Sequence, residues 1–435
     1  MTLPERLGVR LGRLGAMGRV AARVLPVDTN PVPASWTHLT KVDPEARRRL
    51  PLLYPRYLSY TDAVAVGGST AVTGANTEAT FALLSPVDAP VFHEPSDPTH
   101  VTDYTREVAA FIAIPQVLNG SVEAVVGELG AGIERVRDDL APSLVADHVP
   151  SWTPAPVREV LADAATSWLL ETAAFEAYLV QNPDSAAARE AGVGQSDVLD
   201  PREAARRAMV ADRYLHCPVV YVEYSGTFGG STAERLLAAV SSAVSGSRVW
   251  YGGGLSSAED ARTMLDAGAD AVVVGNAFHA VAREERALFG RARDALAPGA
   301  SHARIESWLA DEVPVEETAA AAYLSTVPSL SDPPATAERL LVDTLHVWSR
   351  LRAFSGRPSR AALDCVVGVA GFRGDGDTGS AVDAAPDAAV DAGGLDPVER
   401  WARAALDATR GQETALSTHL SPFPPDSTDR VDADR

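Results

Sequence analysis

Between residues 37 and 274 the chain carries eight short apolar runs, mostly separated by polar or glycine-bearing turns and helix-like stretches. They read THLTKV (37–42), DAVAV (62–66), APVFH (89–93), AAFIAI (109–114), EAYLVQ (176–181), PVVYVE (218–223), SRVWY (247–251) and DAVVV (270–274). Runs of this kind, without polar alternation, are what parallel strands buried on both faces require. Eight in series fit a (β/α)8 TIM barrel better than a doubly wound sheet, so the expected class is α/β. The fourth and fifth runs stand too far apart for one ordinary connection. Residues 119–175, with Pro142, Pro150, Pro154 and Pro156 near the middle, therefore hold extra helix as a long insertion.

The barrel is expected over 36–295, preceded by a leader (1–35). In the leader Arg6, Arg10 and Arg13 share one helical face and Leu3, Leu7, Leu11 and Leu14 another. Glycines at 8, 12, 15 and 18 weaken such a helix, which favours a disordered or barrel-covering arm over a basic amphipathic helix resting on an anionic membrane. Beyond 295, segments such as ATAERLLVDTLHVWSRLRAF (335–354) suggest a small α-helical appendage over 296–372. From 373 to 435 the chain is rich in Asp, Ala, Gly and Pro and reads as a largely disordered acidic tail, with one short helix around PVERWARAALDAT (397–409).

Charge removes one class of function. The chain has 435 residues and a net charge of −20, against a nucleic-acid binder, which needs a basic face to displace phosphate counterions. Of 38 Lys plus Arg residues only Lys41 is lysine. That skew fits either a halophilic, salt-rich cytosol, where salt screens a one-signed surface, or a GC-rich genome. Arginines at 6, 10, 13, 19 and 23 interrupt any secretory apolar region, and no apolar run approaches membrane-spanning length. Cys217 and Cys365 make no metal-like spacing and read as ordinary buried thiols. A cytoplasmic protein is expected, with peripheral membrane contact left open and a homo-oligomeric assembly anticipated.

Functional residues of this fold gather where strands end. The seventh run ends in Tyr251-Gly252-Gly253-Gly254 and the eighth in Val274-Gly275-Asn276, each leading into a helix. Paired glycine turns before helix N-termini suit a phosphate, because backbone N–H groups point at the anion. Lys41 and Asp43 follow each other at i and i+2, hence on one side of the first strand. Lysine is a point charge for phosphate and a carboxylate is a hard ligand for Mg²⁺; the alternative is a minor surface ion pair. Gly67-Gly68-Ser69-Thr70 ends the second run, where a hydroxyl could complete a metal or diphosphate contact. Tyr221 and Glu223 share a face of the sixth, where Glu223 is either a proton acceptor or a salt-bridged glutamate. The nine histidines show no metal-ligand pairing and read as structural.

Together WTHLTKVDP (36–44), DAVAVGGS (62–69), IPQVLNG (114–120), LVQNPDSAAA (179–188), YVEYSG (221–226), YGGG (251–254) and VVVGN (272–276) resemble the geranylgeranylglyceryl and heptaprenylglyceryl phosphate synthase family. The resemblance covers 36 to about 290. It implies a prenyltransferase joining an isoprenoid diphosphate, with geranylgeranyl diphosphate the expected donor, to sn-glycerol 1-phosphate, the first ether-forming step of archaeal membrane lipid synthesis. It also implies Lys41 on the glycerol phosphate, and Asp43 and Ser69 holding Mg²⁺ on the diphosphate. Tyr221, Val222, Glu223, Tyr224, Ser225 and Gly226 would cradle the glycerol, and Gly254, Gly275 and Asn276 would bind its phosphate. Glu223, Asp43 and Lys41 would be catalytic. His93 and Glu94 depart from the more apolar residues usual there, and Thr227-Phe228 follows YVEYSG; both departures bear on the prenyl groove. Two other readings are a sugar-phosphate isomerase barrel and a non-catalytic lipid- or phosphate-binding barrel.

Overall fold

A computed structural model describes residues 28–45, 48–68, 70–353 and 396–421. Eight strands run parallel: β1 (His38–Val42), β2 (Ala63–Val66), β3 (Val91–His93), β4 (Ala113–Val117), β5 (Ala174–Val180), β6 (Val219–Glu223), β7 (Arg248–Gly252) and β8 (Ala271–Val274). Their order is β3-β2-β1-β8-β7-β6-β5-β4. Between β3 and β4 the seam closes irregularly, through Ala110 N–H on the Val91 carbonyl (2.8 Å), His93 N–H on the Phe111 carbonyl (3.1 Å) and a bridge from His93 to Ile112. The AAFIAI run is thus divided: its first half seals the seam and only its end enters β4, which lies later than the run suggests. The result is the expected TIM barrel.

Alternation along each strand sends one set of side chains inward and the other against the helices. The barrel floor is aromatic: Phe92 stacks on Phe111 with ring centroids 4.6 Å apart, and Trp36 lies 6.3 Å from each. The end of the leader closes that floor, with Asn30 Nδ2 donating to the Pro218 and Gly246 carbonyls at 2.8 Å each. Residues 1–27, including the amphipathic pattern, lie outside the described residues. The insertion is helical as expected, and its longest helix, Ala155–Thr172, leads into β5.

The connection after β1 carries only the five-residue helix Tyr54–Leu58, too short to cover the outer faces of β1 and β2. The appendage supplies that cover. Its helices are His302–Glu312, Ala319–Ser325 and Pro333–Ala353. Buried Tyr323 shares a hydrogen bond with Thr40 Oγ1 of β1 at 2.8 Å, and His38 bridges Thr61 (3.0 Å) and Thr326 (3.1 Å). Phe289 of the last barrel helix, Asn276–Ala295, stacks on Trp348 of the appendage at 4.9 Å.

Within the tail expected to be largely disordered over 373–435, the described part holds the short helix expected around 397–409, at Pro397–Thr409, and continues beyond it to residue 421. Residues 396–421 dock on the barrel. Asp396 caps the helix Pro397–Thr409 with a reciprocal Glu399 capping box and proline in the first turn. Trp401 is buried and donates its indole N–H to the Leu52 carbonyl at 2.9 Å. Leu50 and Leu420 form a β-bridge, with Leu50 N–H on the His419 carbonyl (2.7 Å) and Ser421 N–H on the Leu50 carbonyl (2.9 Å). The polar residues around it dominate the average over some sixty residues, whereas Trp401, Leu406 and Leu420 bury enough apolar surface to order one segment. Residues 354–395 and 422–435 lie outside the described residues.

Glu285 ties this segment to the barrel. Its Oε2 accepts from Leu52 N–H and Ser421 Oγ–H, both at 2.8 Å. Burial drives its pKa up from 4.5 to about 7, despite those two bonds. A carboxyl raised on folding contributes stability below its unfolded pKa and loses it as pH climbs through the folded one. Stability tied to Glu285 is therefore expected to fall between pH 4.5 and about 7, by on the order of 3 kcal/mol. Melting curves of the wild type and Glu285→Gln across pH 4–8 read this: the wild-type slope should flatten in the variant. Equal slopes would show that Glu285 ionises as readily folded as unfolded.

Candidate active site

The strand ends and their loops enclose a cavity of about 550 Å³ at the barrel mouth. Its wall brings together Lys41, Asp43, Tyr221, Glu223, Ser225, Gly226, Gly254, Gly275 and Asn276, nine of the residues singled out in the sequence. Ser69 lies outside the described residues. Val222 and Tyr224 do not line the cavity. As neighbours of inward-facing residues they point the other way, packing in the layer between sheet and helices, so their side chains do not reach the cavity. Cys217 is a buried free thiol, pushed up to about 12 by burial, and Cys365 is outside the described residues.

One wall is built for anions. After β7 the chain turns through Gly254 at φ +57°, where a Cβ would stand 2.4 Å from the Phe228 backbone nitrogen, so glycine alone fits. Ser257 then caps the helix Ala258–Asp266. After β8, Gly275 opens directly into the 20-residue helix starting at Asn276. The Gly254 turn and the helix N-terminus at Gly275 and Asn276 thus both line the mouth, with Lys41 against Gly275.

Across the mouth lies a group of glutamates. Lys41 Nζ donates to Glu94 Oε1 at 2.6 Å, and Tyr178 OH donates to the same oxygen. Burial works against the Lys41 charge, but Glu94, with Glu176 and Glu223 beyond it, outweighs burial and leaves its pKa raised. Glu223 is 2% exposed; Oε1 accepts Ser225 N–H at 2.9 Å, and Oε2 has no partner among the described residues. Burial raises its pKa against the opposing Ser225 bonds and Lys41. Glu176, inside β5 beneath them, has no partner on either oxygen among the described residues, and burial pushes its pKa well above the usual carboxylate range, with Glu94 adding to the rise and Lys41 opposing it.

Glu94 was legible only as a departure from a family pattern; its role as the lysine's counter-ion appears once β3 and β1 share a barrel. His93, its neighbour, faces away from the mouth and packs edge-on to Phe81 at 5.6 Å. His279, read with the other histidines as structural, also lines the cavity. Asp43 N–H donates to His279 Nε2 (3.0 Å), so the ring proton sits on Nδ1 and donates to the Arg49 carbonyl (3.2 Å). Burial lowers the pKa of His279 to about 4 and keeps it neutral. Its place in the first turn after VVVGN was the available signal.

Asp43 is the candidate metal ligand. Burial and Glu45 raise its pKa to about 6, against a Glu45 backbone bond and Arg48. A Cβ on Gly68 would stand 2.4 Å from Asp43 Oδ1, so the bare Gly67-Gly68 turn leaves room for that carboxylate. Among the described residues no group of three or more His, Cys, Asp or Glu could hold a metal by itself. One carboxylate at a cavity lined by anion-binding turns fits Mg²⁺, which keeps its waters and binds through one or two carboxylates plus substrate phosphate.

Barrel and mouth together define a phosphate-handling (β/α)8 enzyme. The PcrB family pattern matches residues 33–289, and the chain belongs to that family. A geranylgeranylglyceryl phosphate synthase of Methanoregula boonei is 31% identical over 245 residues, 56% of this chain and 91% of that protein. A heptaprenylglyceryl phosphate synthase of Bacillus cereus is 30% identical over 251 residues, 57% and 91% of the two chains. The solved (S)-3-O-geranylgeranylglyceryl phosphate synthase of Thermoplasma acidophilum, in complex with sn-glycerol-1-phosphate, is 21% identical at a TM-score of 0.40, covering 56% of this chain and 86% of that one. The family match ends at residue 289, so the appendage and the docked segment lie beyond it.

Proposed function

We propose that this enzyme transfers the prenyl group of an isoprenoid diphosphate, geranylgeranyl diphosphate first among them, to sn-glycerol 1-phosphate. The observation that carries the reading is one cavity with the glycine turns at Gly254 and Gly275 and Lys41 on one side and Glu223 on the other. The family membership and the names of its relatives agree with it.

In this reading the glycerol phosphate rests on the turns at Gly254 and Gly275, and Lys41 exchanges Glu94 for the incoming phosphate. The allylic C–O bond to the diphosphate breaks, the glycerol hydroxyl oxygen bonds to the freed carbon, and its proton passes to Glu223. Diphosphate leaves with the electron pair of the broken bond. Mg²⁺, held by Asp43 and the diphosphate, would neutralise charge on that leaving group. Glu223 Oε2, buried and without a protein partner among the described residues, is placed to take the proton, and burial brings its pKa towards working pH. Both substrates are anionic, so the charged walls orient them as well as bind them.

The test is transfer from geranylgeranyl diphosphate to labelled sn-glycerol 1-phosphate with Mg²⁺. A lipid-soluble, alkali-stable ether product is expected. Binding of both compounds without turnover would instead indicate a non-catalytic barrel, and turnover of sugar phosphates alone an isomerase.

A further inference from the structure

We propose that the docked C-terminal segment, 396–421, is a positioning element of the active site, holding Asp43 in place through Leu50, Arg49 and His279. The placing of Asp43 on the diphosphate side rests on the function proposed above; the mechanical link does not.

The link can be followed bond by bond. The connection from Asp43 to Leu53 carries Asp43, Glu45 and Arg48 into the mouth. Arg48 pairs with Glu45 (3.1 Å) and with Asn276 Oδ1 (2.6 Å), and its Nε stands 3.7 Å from Asp43. No long helix follows β1 to anchor this loop, because Tyr54–Leu58 is a single short turn. The loop is anchored from two other sides. On one, the segment 396–421 grips it through the Leu50 bridge and the Trp401 bond to Leu52. On the other, the helix Asn276–Ala295 holds it through His279 and through Glu285, which accepts from Leu52 and Ser421 together. His279 spans one end of the loop to its middle: one ring nitrogen on Asp43, the other on Arg49, the residue before the gripped Leu50. A shift of Leu50 therefore moves the Arg49 carbonyl, and with it the ring that fixes the Asp43 backbone.

The effect should fall mainly on the Asp43 side of the site, since the loop reaches the other side through a side chain alone, Arg48 on Asn276. The turns at Gly254 and Gly275 belong to β7 and β8 and take no bond from residues 396–421 in the described structure. Since the family match stops at residue 289, this support is an addition in this chain rather than part of the matched barrel.

Two substitutions in the full chain break the link at separate points. Ser421→Pro removes both the N–H that bonds the Leu50 carbonyl and the hydroxyl that bonds Glu285, at a position where Leu420, with φ −104° and ψ 153°, already has the conformation that proline requires of its predecessor. His279→Leu removes the acceptor for Asp43 N–H, and His279→Gln can restore it. Ser421→Pro and His279→Leu should each raise the KM for prenyl diphosphate about tenfold, the scale of one lost hydrogen bond, while the KM for glycerol 1-phosphate stays within about twofold. His279→Gln should recover most of the loss. Hydrogen exchange at the amides of Asp43, Arg49 and Leu50 should quicken in both, whether or not the substrate assignment holds. Equal changes in the two KM values, or faster exchange in Ser421→Pro confined to 396–421, would overturn the proposal. Should the wild type transfer no prenyl group, the substrate reading fails and the exchange result alone decides the link.

Discussion

Replacing Asp43 with alanine is expected to cut prenyl transfer by about 10³-fold or more while leaving the melting temperature within a few degrees of the wild type. The two halves of that expectation have one physical source. Asp43 holds little of the fold: its carboxylate accepts one backbone N–H, from Glu45 at 3.2 Å, and stands 3.7 Å from Arg48. Burial and the neighbouring Glu45 disfavour its charge, raising the pKa to about 6, so the folded chain gains nothing from ionising it. A carboxylate kept at a cavity mouth on those terms is explained by what binds there. The backbone N–H of Asp43, which does serve the fold through His279, survives the substitution. Turnover at saturating Mg²⁺, measured beside thermal melting and glycerol 1-phosphate binding, checks all parts. Near-normal turnover would remove Asp43 from the metal role, and a collapsed melting temperature would make it a structural acid.

How much of this was legible beforehand depended on distance along the chain. The strands were legible because a parallel strand covered on both faces must be apolar throughout, and that leaves runs such as DAVVV and PVVYVE. Their ends exposed Lys41, Asp43, Glu223 and the two glycine turns, since a barrel places its chemistry there. Residues that act through partners far along the chain left no local trace. Tyr178 meets Glu94 across 84 positions, and His279 meets Asp43 across 236. Val222 and Tyr224 entered with a motif read as a block, and strand alternation turns their side chains outward, which leaves only their backbone towards the site. In the tail the helix itself was legible, since PVERWARAALDAT carries its own apolar pattern, but its docking and the stretch on to Leu420 were not, because their partners Leu50 and Leu52 lie 349 or more positions earlier. The tail's value to the fold arises only beside the loop after β1, at Leu50 and Leu52.

Glu223→Gln is expected to lower turnover by about 10²–10⁴-fold with near-normal affinity for glycerol 1-phosphate. Glutamine keeps the size of the side chain, and its carbonyl can still accept the Ser225 N–H that now holds Oε1 at 2.9 Å. What it loses is the capacity to take a proton at the Oε2 position, which opens on the cavity without a protein partner among the described residues. Burial raises the Glu223 pKa, and a base whose pKa approaches the working pH is a better match to an alcohol proton than an exposed glutamate. The sign of the pH effect follows. The carboxylate must be ionised to act, so wild-type turnover should rise with pH through the raised Glu223 pKa, and the variant should lose that limb. If affinity collapses while saturated turnover survives, Glu223 orients the glycerol hydroxyls and water carries the proton. If neither parameter moves, Glu223 is a structural residue pinned to Ser225. An allylic cation formed before attack asks less of any base, which would place the loss at the lower end, near 10²-fold.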